Sequence, residues 1–486
     1  MANSILPVLP IEEQMKRLLS ICILTLCTLF LGAQDLWTLE ESIHRARTGS
    51  IDALQSLLGQ DYAAINLESA QHRRYPNLNF NTNVNWNFGR TIDPTTNEFN
   101  TSTFFSNNLS LGSGMALYRG GRIKNSITQS EYLLKASEMD HEQLINDLAL
   151  TVANNYLNAL FALENEKIAR NQLGISNQQL AQIQKLVKAG SLPANEVLQI
   201  EAQIARDEQS IIGSSNTYEL SILQLKQLLN LNPSDEITIE NPGEINLSTD
   251  PFILTFEEVY ASALQHRQDV LADELRLQSS EMAIKVAEGA LMPSLDAFGN
   301  LGTNYSNLGF SILGSETLDI PVDSKLPDGT PFPLLFTQER TLSEKANYST
   351  QLEDNLSYGF GVQLSVPIYN NFQVKHSIQR AELDFENSKL ATQRTKENLK
   401  IQVQSALADS RSAKLQFEAS EVAYNAQKAA FDNTEKKYRL GATNTFEYSN
   451  AKNQLDAAQL NTLIAKYDYI FKTVVLDFYM GKPIKL

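Results

Sequence analysis

Leu78-Asn79-Phe80-Asn81-Thr82-Asn83-Val84-Asn85-Trp86-Asn87-Phe88 alternates apolar and polar without a break. Successive side chains of a strand point to opposite faces. Leu78, Phe80, Thr82, Val84, Trp86 and Phe88 therefore share one face, and Asn79, Asn81, Asn83, Asn85 and Asn87 share the other. A strand of this length tilted by about 45° spans roughly the 25 Å apolar band of an outer-membrane barrel. A half-buried soluble strand alternates too. It explains less well why the second face is neutral amide, which suits a water-filled lumen.

Working outward, residues 356–368 repeat the pattern, with Tyr358, Phe360, Val362 and Leu364 opposed by Ser357, Gly359, Gly361 and Gln363. Residues 109–117 and 295–305 are weaker partners, so four strands are expected, one hairpin in each half of the chain. The halves are related. Tyr118, Lys185 and Gly190 return as Tyr369, Lys436 and Gly441, each 251 residues later (369 − 118, 436 − 185, 441 − 190). Pro76, in Tyr75-Pro76-Asn77-Leu78, returns as Pro293, in Met292-Pro293-Ser294-Leu295, only 217 residues later (293 − 76). The second copy thus carries 34 extra residues (251 − 217) between Pro293 and Tyr369. A repeat this long is a duplicated domain half rather than a solenoid unit. The expected organisation is a signal peptide at 1–33, a first repeat at 34–254 and a second at 255–486, with an extended extracellular loop at about 306–355. That loop holds Pro321, Pro327, Pro331 and Pro333, and prolines at such density oppose both ladder and helix.

The remainder reads as helix. Residues 119–189 contain no proline, and residues 371–440 contain neither proline nor glycine. At 1.5 Å per residue each would extend on the order of 100 Å, more than a globular domain needs. Leu173, Leu180 and Val187 recur every seven residues with Ile183 between them, the spacing of a coiled-coil seam. Shorter helices are expected at 39–74, 193–231, 256–291 and 445–480, with a polar linker at 232–251 that includes a short strand at 237–239.

Residues 18–31 form an apolar run after Met15-Lys16-Arg17 and before Gly32-Ala33, the pattern of a secretory signal peptide. Met15 is an alternative start; residues 1–14 are otherwise an amino-terminal extension. Cys22 and Cys27 both lie in the run, so cleavage after Ala33 would remove every cysteine. The net charge of −16 has no basic block to offset it, which argues against nucleic acid as a partner.

Four transmembrane strands leave unpaired edges, and unpaired backbone groups in lipid cost several kcal/mol each. Two copies would close about eight strands, a barrel filled by its own side chains; three would close about twelve, with room for water.

The chain resembles the TolC family of trimeric outer-membrane efflux and export channels. The resemblance covers essentially the whole mature chain: the duplication, the Tyr75–Leu78 and Met292–Leu295 strand starts, Leu117-Tyr118-Arg119-Gly120-Gly121 and Ile368-Tyr369-Asn370-Asn371-Phe372 at the strand ends, and the turns at Gly190 and Gly441. Gly89-Arg90-Thr91-Ile92-Asp93-Pro94 is similar to the Bacteroidetes-type branch. The resemblance implies a mixed α and β membrane protein. In it a homotrimer forms a twelve-stranded β-barrel in outer-membrane lipid, with four strands from each protomer, continued by a long periplasmic α-helical coiled-coil barrel. It also implies a periplasmic adaptor (membrane fusion) protein and a proton-driven or ATP-driven inner-membrane pump as partners.

The resemblance further implies that the helix tips close the periplasmic end. Matched residue by residue, the gate tyrosine falls on Tyr438 and the outer acidic ring on Glu447. The second ring position holds Asn450 where Asp is usual, the gate-arginine position holds Thr443, and that arginine's acidic partner falls on Glu196. The usual salt bridge between tips therefore cannot form. Gly190 and Gly441 mark the tips that would meet the adaptor, and Asn79, Asn81, Asn83, Asn85 and Asn87 would line the barrel lumen.

The five histidines are scattered and show no HExxH pattern. The sequence holds no P-loop, nucleophile elbow or complete dinucleotide motif. The expectation is no enzyme, no cofactor and no metal. Two functions compete: a passive export duct, and a membrane-anchored trimeric coiled-coil stalk or adhesin without transport.

Overall fold

The computed structural model describes residues 36–92, 97–101, 104–242 and 249–484. The expected signal peptide lies outside the described residues, as does the end of the Gly89–Pro94 motif. In chain order the elements are β1 (Leu36–Trp37), α1 (Leu39–Gly49), α2 (Ile51–His72), β2 (Asn77–Asn87), β3 (Thr91–Ile92), β4 (Phe99–Asn100), β5 (Phe104–Arg119), α3 (Arg122–Lys188) and α4 (Asn195–Leu228). Next come β6 (Thr238–Ile239), α5 (Phe256–His266), α6 (Gln268–Glu288), β7 (Ser294–Ser306), β8 (Phe310–Lys325), β9 (Pro331–Lys345), α7 (Tyr348–Asp354), β10 (Ser357–Ser365), α8 (Gln373–Arg439) and α9 (Thr445–Tyr479). Helices α3 and α8 are both 67 residues long. Two compact units draw on both sequence copies: one comprises 1–62, 134–276 and 389–486, the other 63–133 and 277–388.

The first unit is helical, and equivalent positions do equivalent work in it. Thr38 caps α1 by accepting from the Glu41 amide, and Thr255 caps α5 by accepting from Glu258, 217 residues on (255 − 38, 258 − 41). Ala46, Leu148, Val152 and Leu225 are buried in one core. Ala263, Leu399, Val403 and Leu476 are buried in a second, at offsets of 217 (263 − 46) and 251 (399 − 148, 403 − 152, 476 − 225). The short parallel ladder of β1 with β6 closes over Tyr156, whose hydroxyl lies 2.9 and 2.8 Å from the carbonyl oxygens of Trp37 and Glu240. Burial holds that phenol well above its usual pKa, so it stays a donor.

Two sequence expectations need correction here. The helices expected at 39–74 and 256–291 are each interrupted, at Ser50 and Arg267, again 217 residues apart (267 − 50), where ψ opens to 146° and 112°. The Ser50 hydroxyl restarts the helix by accepting from Ala53 N–H at 3.1 Å. Arg267 turns inward to pair with Asp269, Nη2 to Oδ2 at 2.7 Å, and to lie over the ring of Phe478. The coiled-coil seam is displaced in part. Between residues 171 and 188 of α3 the buried positions are Ser176, Gln179 and Ile183, the last a member of the expected seam, while Leu173, Leu180 and Val187 are half-buried flanks.

The second unit contains a four-stranded antiparallel sheet of order β10-β7-β5-β2, built from the four expected strands. Its edges are β2 and β10. At the strand-to-helix junction Gly120 and Gly121 have φ of 58° and 76°. Gly120 meets Gly289 so closely that a Cβ on it would lie 2.3 Å from the Gly289 carbonyl oxygen. Only glycine fits there.

The extended loop expected at about 306–355, where proline density opposes ladder and helix, instead contains both. β8 and β9 form a hairpin, and α7 follows. Gln351 of α7 is buried and exchanges hydrogen bonds with both backbone groups of Ser306, at 2.9 and 2.8 Å. The prolines survive because of register. Leu326 N–H bonds Thr330 carbonyl at 3.0 Å, so that pair belongs to the hydrogen-bonded class. Counting outward, Lys325↔Pro331, Asp323↔Pro333 and Pro321↔Leu335 all fall in the other class, where N–H groups face away from the partner. A missing N–H costs nothing there.

Moving the proline by one position tests this reading. Val322→Pro, in the bonded class, should open the hairpin to limited proteolysis between 310 and 345, whereas Pro321→Ser should leave its cleavage rate unchanged within about twofold.

Candidate functional site

The two helix tips are built alike. Gly190, with φ of 74°, ends α3: its N–H bonds Val187 carbonyl at 3.0 Å and Ser191 N–H bonds Leu186 carbonyl at 2.9 Å. Gly441, with φ of 71°, ends α8 through Gly441 to Tyr438 at 3.0 Å and Ala442 to Lys437 at 2.8 Å. Both are Schellman caps, which require the left-handed conformation. Helix α9 then starts on Asn444, whose side chain accepts from the Glu447 N–H at 2.9 Å.

The sequence-matched aperture residues fall into two groups and one outlier. Tyr438 is half-buried. Its hydroxyl is 3.0 Å from Thr445 Oγ1, and its ring packs on Tyr448 with centroids 5.0 Å apart. Burial raises the Tyr438 phenol above its usual pKa, and the nearby Glu196 carboxylate adds to the rise. One Glu196 oxygen, Oε2, is buried without a hydrogen-bond partner among the described residues. The second group is Thr443 with Glu447: the threonine hydroxyl donates to the carboxylate. Asn450 is exposed and joins neither group. Leu440 and Phe446, 84% and 72% exposed, cap the same turn with apolar surface.

In the sheet, register sorts every side chain to a face. Asn79, Asn81, Asn83 and Asn85 oppose Gly112, Ser110, Asn108 and Ser106 of β5, and these in turn oppose Asn300, Gly302, Asn304 and Ser306 of β7. Asn87, at the strand's end, continues the row. No charge interrupts this part of the face. The other face places Phe80, Leu111, Leu301 and Tyr358 in one line across all four strands. Phe360 is 91% exposed on it, and Leu78 and Leu364 are exposed too. Aromatic rings edge this face near the far ends of the strands. Trp86, Phe105, Tyr305 and Tyr348 follow one another at centroid distances of 5.1, 5.9 and 4.9 Å. Tyr75, Tyr118 and Tyr369 stand exposed at the near ends. Apolar bands flanked by aromatic girdles are the signature of a sheet in lipid. The far row was legible only once register was known, because its members come from β2, β5, β7 and α7.

Residues 43–231 and 259–482 match the outer membrane efflux protein family. The chain belongs to this family. Over 196 residues it is 28% identical to the pyoverdine export outer membrane protein OpmQ of Pseudomonas aeruginosa, a match covering 37% of this chain and 40% of OpmQ. The chain spans less than half the length of the curated relatives it matches. Among solved structures, CusC superposes with a TM-score of 0.71 over 92% of each chain at 18% identity. The Campylobacter jejuni CmeC outer membrane channel does so at 0.69 over 91% of this chain and 85% of that one, at 17% identity. Those likenesses establish the fold. Membership of the outer membrane efflux protein family places the chain in the outer membrane.

This family member also buries charge between its helices, which the sequence reading missed. Lys452 of α9 is 3% exposed and lies 3.1 Å from Asp456 and 3.7 Å from Asp207 of α4. Asp207 also accepts from Ser176 Oγ and, at 2.8 Å, from Gln203 Nε2. Serine, glutamine and lysine read as surface residues in a helical pattern; only their contacts reveal the layer. Burial pushes the Asp456 carboxyl up, with Lys452 opposing the shift.

Two substitutions measure the layer. Lys452→Met leaves Asp207 and Asp456 buried together and should cost about 3–5 kcal/mol of stability. Asp456→Asn should do the opposite at neutral pH. Because the folded pKa of Asp456 is raised, its contribution is present at acid pH and lost as pH rises through that value. The melting temperature of the Asn variant should therefore exceed the parent's at neutral pH and converge on it in acid.

Proposed function

We propose that the protein is the outer-membrane exit duct of a tripartite efflux or secretion system. It conducts substrates passively from a periplasmic adaptor and an inner-membrane pump to the exterior. The observation that carries this reading is the sheet: one face exposed and apolar, the other neutral and polar along the asparagine rows, and both edges open. A lone four-stranded sheet in lipid would leave two rows of backbone groups unpaired. Three copies, each joining β10 to a neighbour's β2, would close a barrel of about twelve strands with Asn79, Asn81, Asn83, Asn85 and Asn87 lining water. The name of OpmQ, a pyoverdine export protein, supports export as the direction of transport.

In the same reading the periplasmic aperture consists of Tyr438, Glu196, Thr443, Glu447 and Asn450 from each protomer. The tips at Gly190 and Gly441, with Leu440 and Phe446 exposed beside the latter, form the surface the adaptor meets. Three Glu447 carboxylates around a narrow axis would favour cations.

Single-channel recording in planar bilayers is the primary test. Asn81→Leu and Asn85→Leu should reduce conductance severalfold while leaving the trimer mass unchanged in native mass spectrometry; an unaltered conductance would remove both residues from the lumen. Glu447→Gln should weaken cation preference, read as a smaller reversal potential in a salt gradient. A trimer with no pore at all would favour the anchored stalk instead.

A further inference from the structure

Below the asparagine rows the character of the polar face changes. A cavity of about 650 Å³ opens where α2 ends, β5 ends and α3 begins, and His72, Arg73, Arg119 and Arg122 line it. It lies on the asparagine side of the sheet, since Asn77, Gly114 and Phe298 form the next row of that face and Ala116, Asp296 and Gln363 the row below. Asp296 is the only carboxylate in its lining, and it is already engaged: Arg119 donates to Asp296 Oδ1 through Nε at 3.1 Å and Nη2 at 3.0 Å. Arg73 and Arg122 have no carboxylate partner among the described residues. Two uncompensated guanidiniums in one cavity stand out in a chain of net charge −16.

The duplication shows that the fold does not need them. At the equivalent positions the second copy has Ala290 for Arg73 (290 − 73 = 217), Asn370 for Arg119 (370 − 119 = 251) and Gln373 for Arg122 (373 − 122 = 251). That junction still turns from strand into helix, with Asn371 and Phe372 at φ of 52° and 59° where the first copy has its two glycines.

We propose that this cavity is a recognition station for organic anions, in which Arg73 and Arg122 grip a carboxylate or phosphate group and Arg119 is positioned by Asp296 to complete the grip. The proposal rests on the duct reading, which makes the asparagine face the lumen. Guanidinium forks match planar oxyanions in two-point hydrogen bonds. The volume lies within the range of small-molecule sites, roughly 300–1,000 Å³. Three such cavities at one level would set a cationic collar beneath a neutral pore and give an otherwise acidic protein a preference for anionic cargo.

The test is block of single-channel current by citrate. The unaltered channel should be blocked at millimolar citrate, and Arg73→Gln/Arg122→Gln should need about tenfold more, as expected for lost charge-assisted hydrogen bonds. Lys375→Gln removes a nearby charge that lies over Phe372, outside the cavity, and should leave the block unchanged. Normal channels that ignore citrate overturn the station alone, as does an equal effect of Lys375→Gln. Loss of the trimer in the double variant, with unchanged block of whatever channels remain, assigns the arginines to protomer contacts and also overturns it. Absence of channels from the unaltered protein overturns the duct reading, and the station with it.

Discussion

Backbone hydrogen bonding at the two open edges of the β10-β7-β5-β2 sheet governs what the rest of the chain can be. Each edge strand presents a line of N–H and C=O groups with no partner in the sheet. Water could satisfy them, but the adjoining face, with Phe360, Tyr358, Phe80 and Leu78 exposed, is too apolar for water. Lipid accepts that face and forbids the edges. Pairing with further copies, as in the proposed duct, would meet both demands and would make the other face an interior. An interior of asparagine, serine and glycine is then the expected chemistry: polar enough to stay wet, and small or neutral enough to leave room.

The two sequence copies separate what the fold requires from what it merely permits. Ala46, Leu148, Val152 and Leu225 have buried counterparts at constant offsets, so packing tolerates little divergence there. The capping boxes at Thr38 and Thr255 follow the same rule. Groups that break the correspondence are candidates for function. Tyr438 stands in the second tip where the first has Val187 (438 − 187 = 251), and the guanidiniums of Arg73, Arg119 and Arg122 occupy only the first junction.

The four strands and the tip glycines were legible because each rests on a local rule: period two for a strand, a left-handed residue for a helix end. The interruptions at Ser50 and Arg267 were not read: Ser50 caps Ala53 only three residues on, a local signal passed over, while Arg267 pairs with Asp269 and lies over the distant ring of Phe478. The β8–β9 hairpin was misread as well. Proline density argues against a ladder only when pairing class is unknown, and register places these prolines where no N–H is wanted. The buried layer of Ser176, Asp207 and Lys452 was invisible because Asp207 gathers Ser176 and Lys452 from two other helices, contacts that no pattern along one helix displays.

The tip chemistry has a consequence for how the proposed aperture would be held. Where the family resemblance leads one to expect an arginine against a carboxylate, this chain has the Thr443 hydroxyl donating to Glu447 and the Tyr438 hydroxyl beside Thr445. Each contact lies within one chain, so none of them joins protomers. An exposed ion pair weakens as salt screens it, within about 10 Å at 0.1 M. Hydrogen bonds between a neutral donor and its acceptor weaken far less. A ring held this way would owe its narrowness to the rigidity of each Schellman turn and to the stacked rings of Tyr438 and Tyr448 rather than to charge across the axis. Opening it would then require moving whole helix tips, and in the proposed duct that work would fall to an adaptor gripping Leu440 and Phe446.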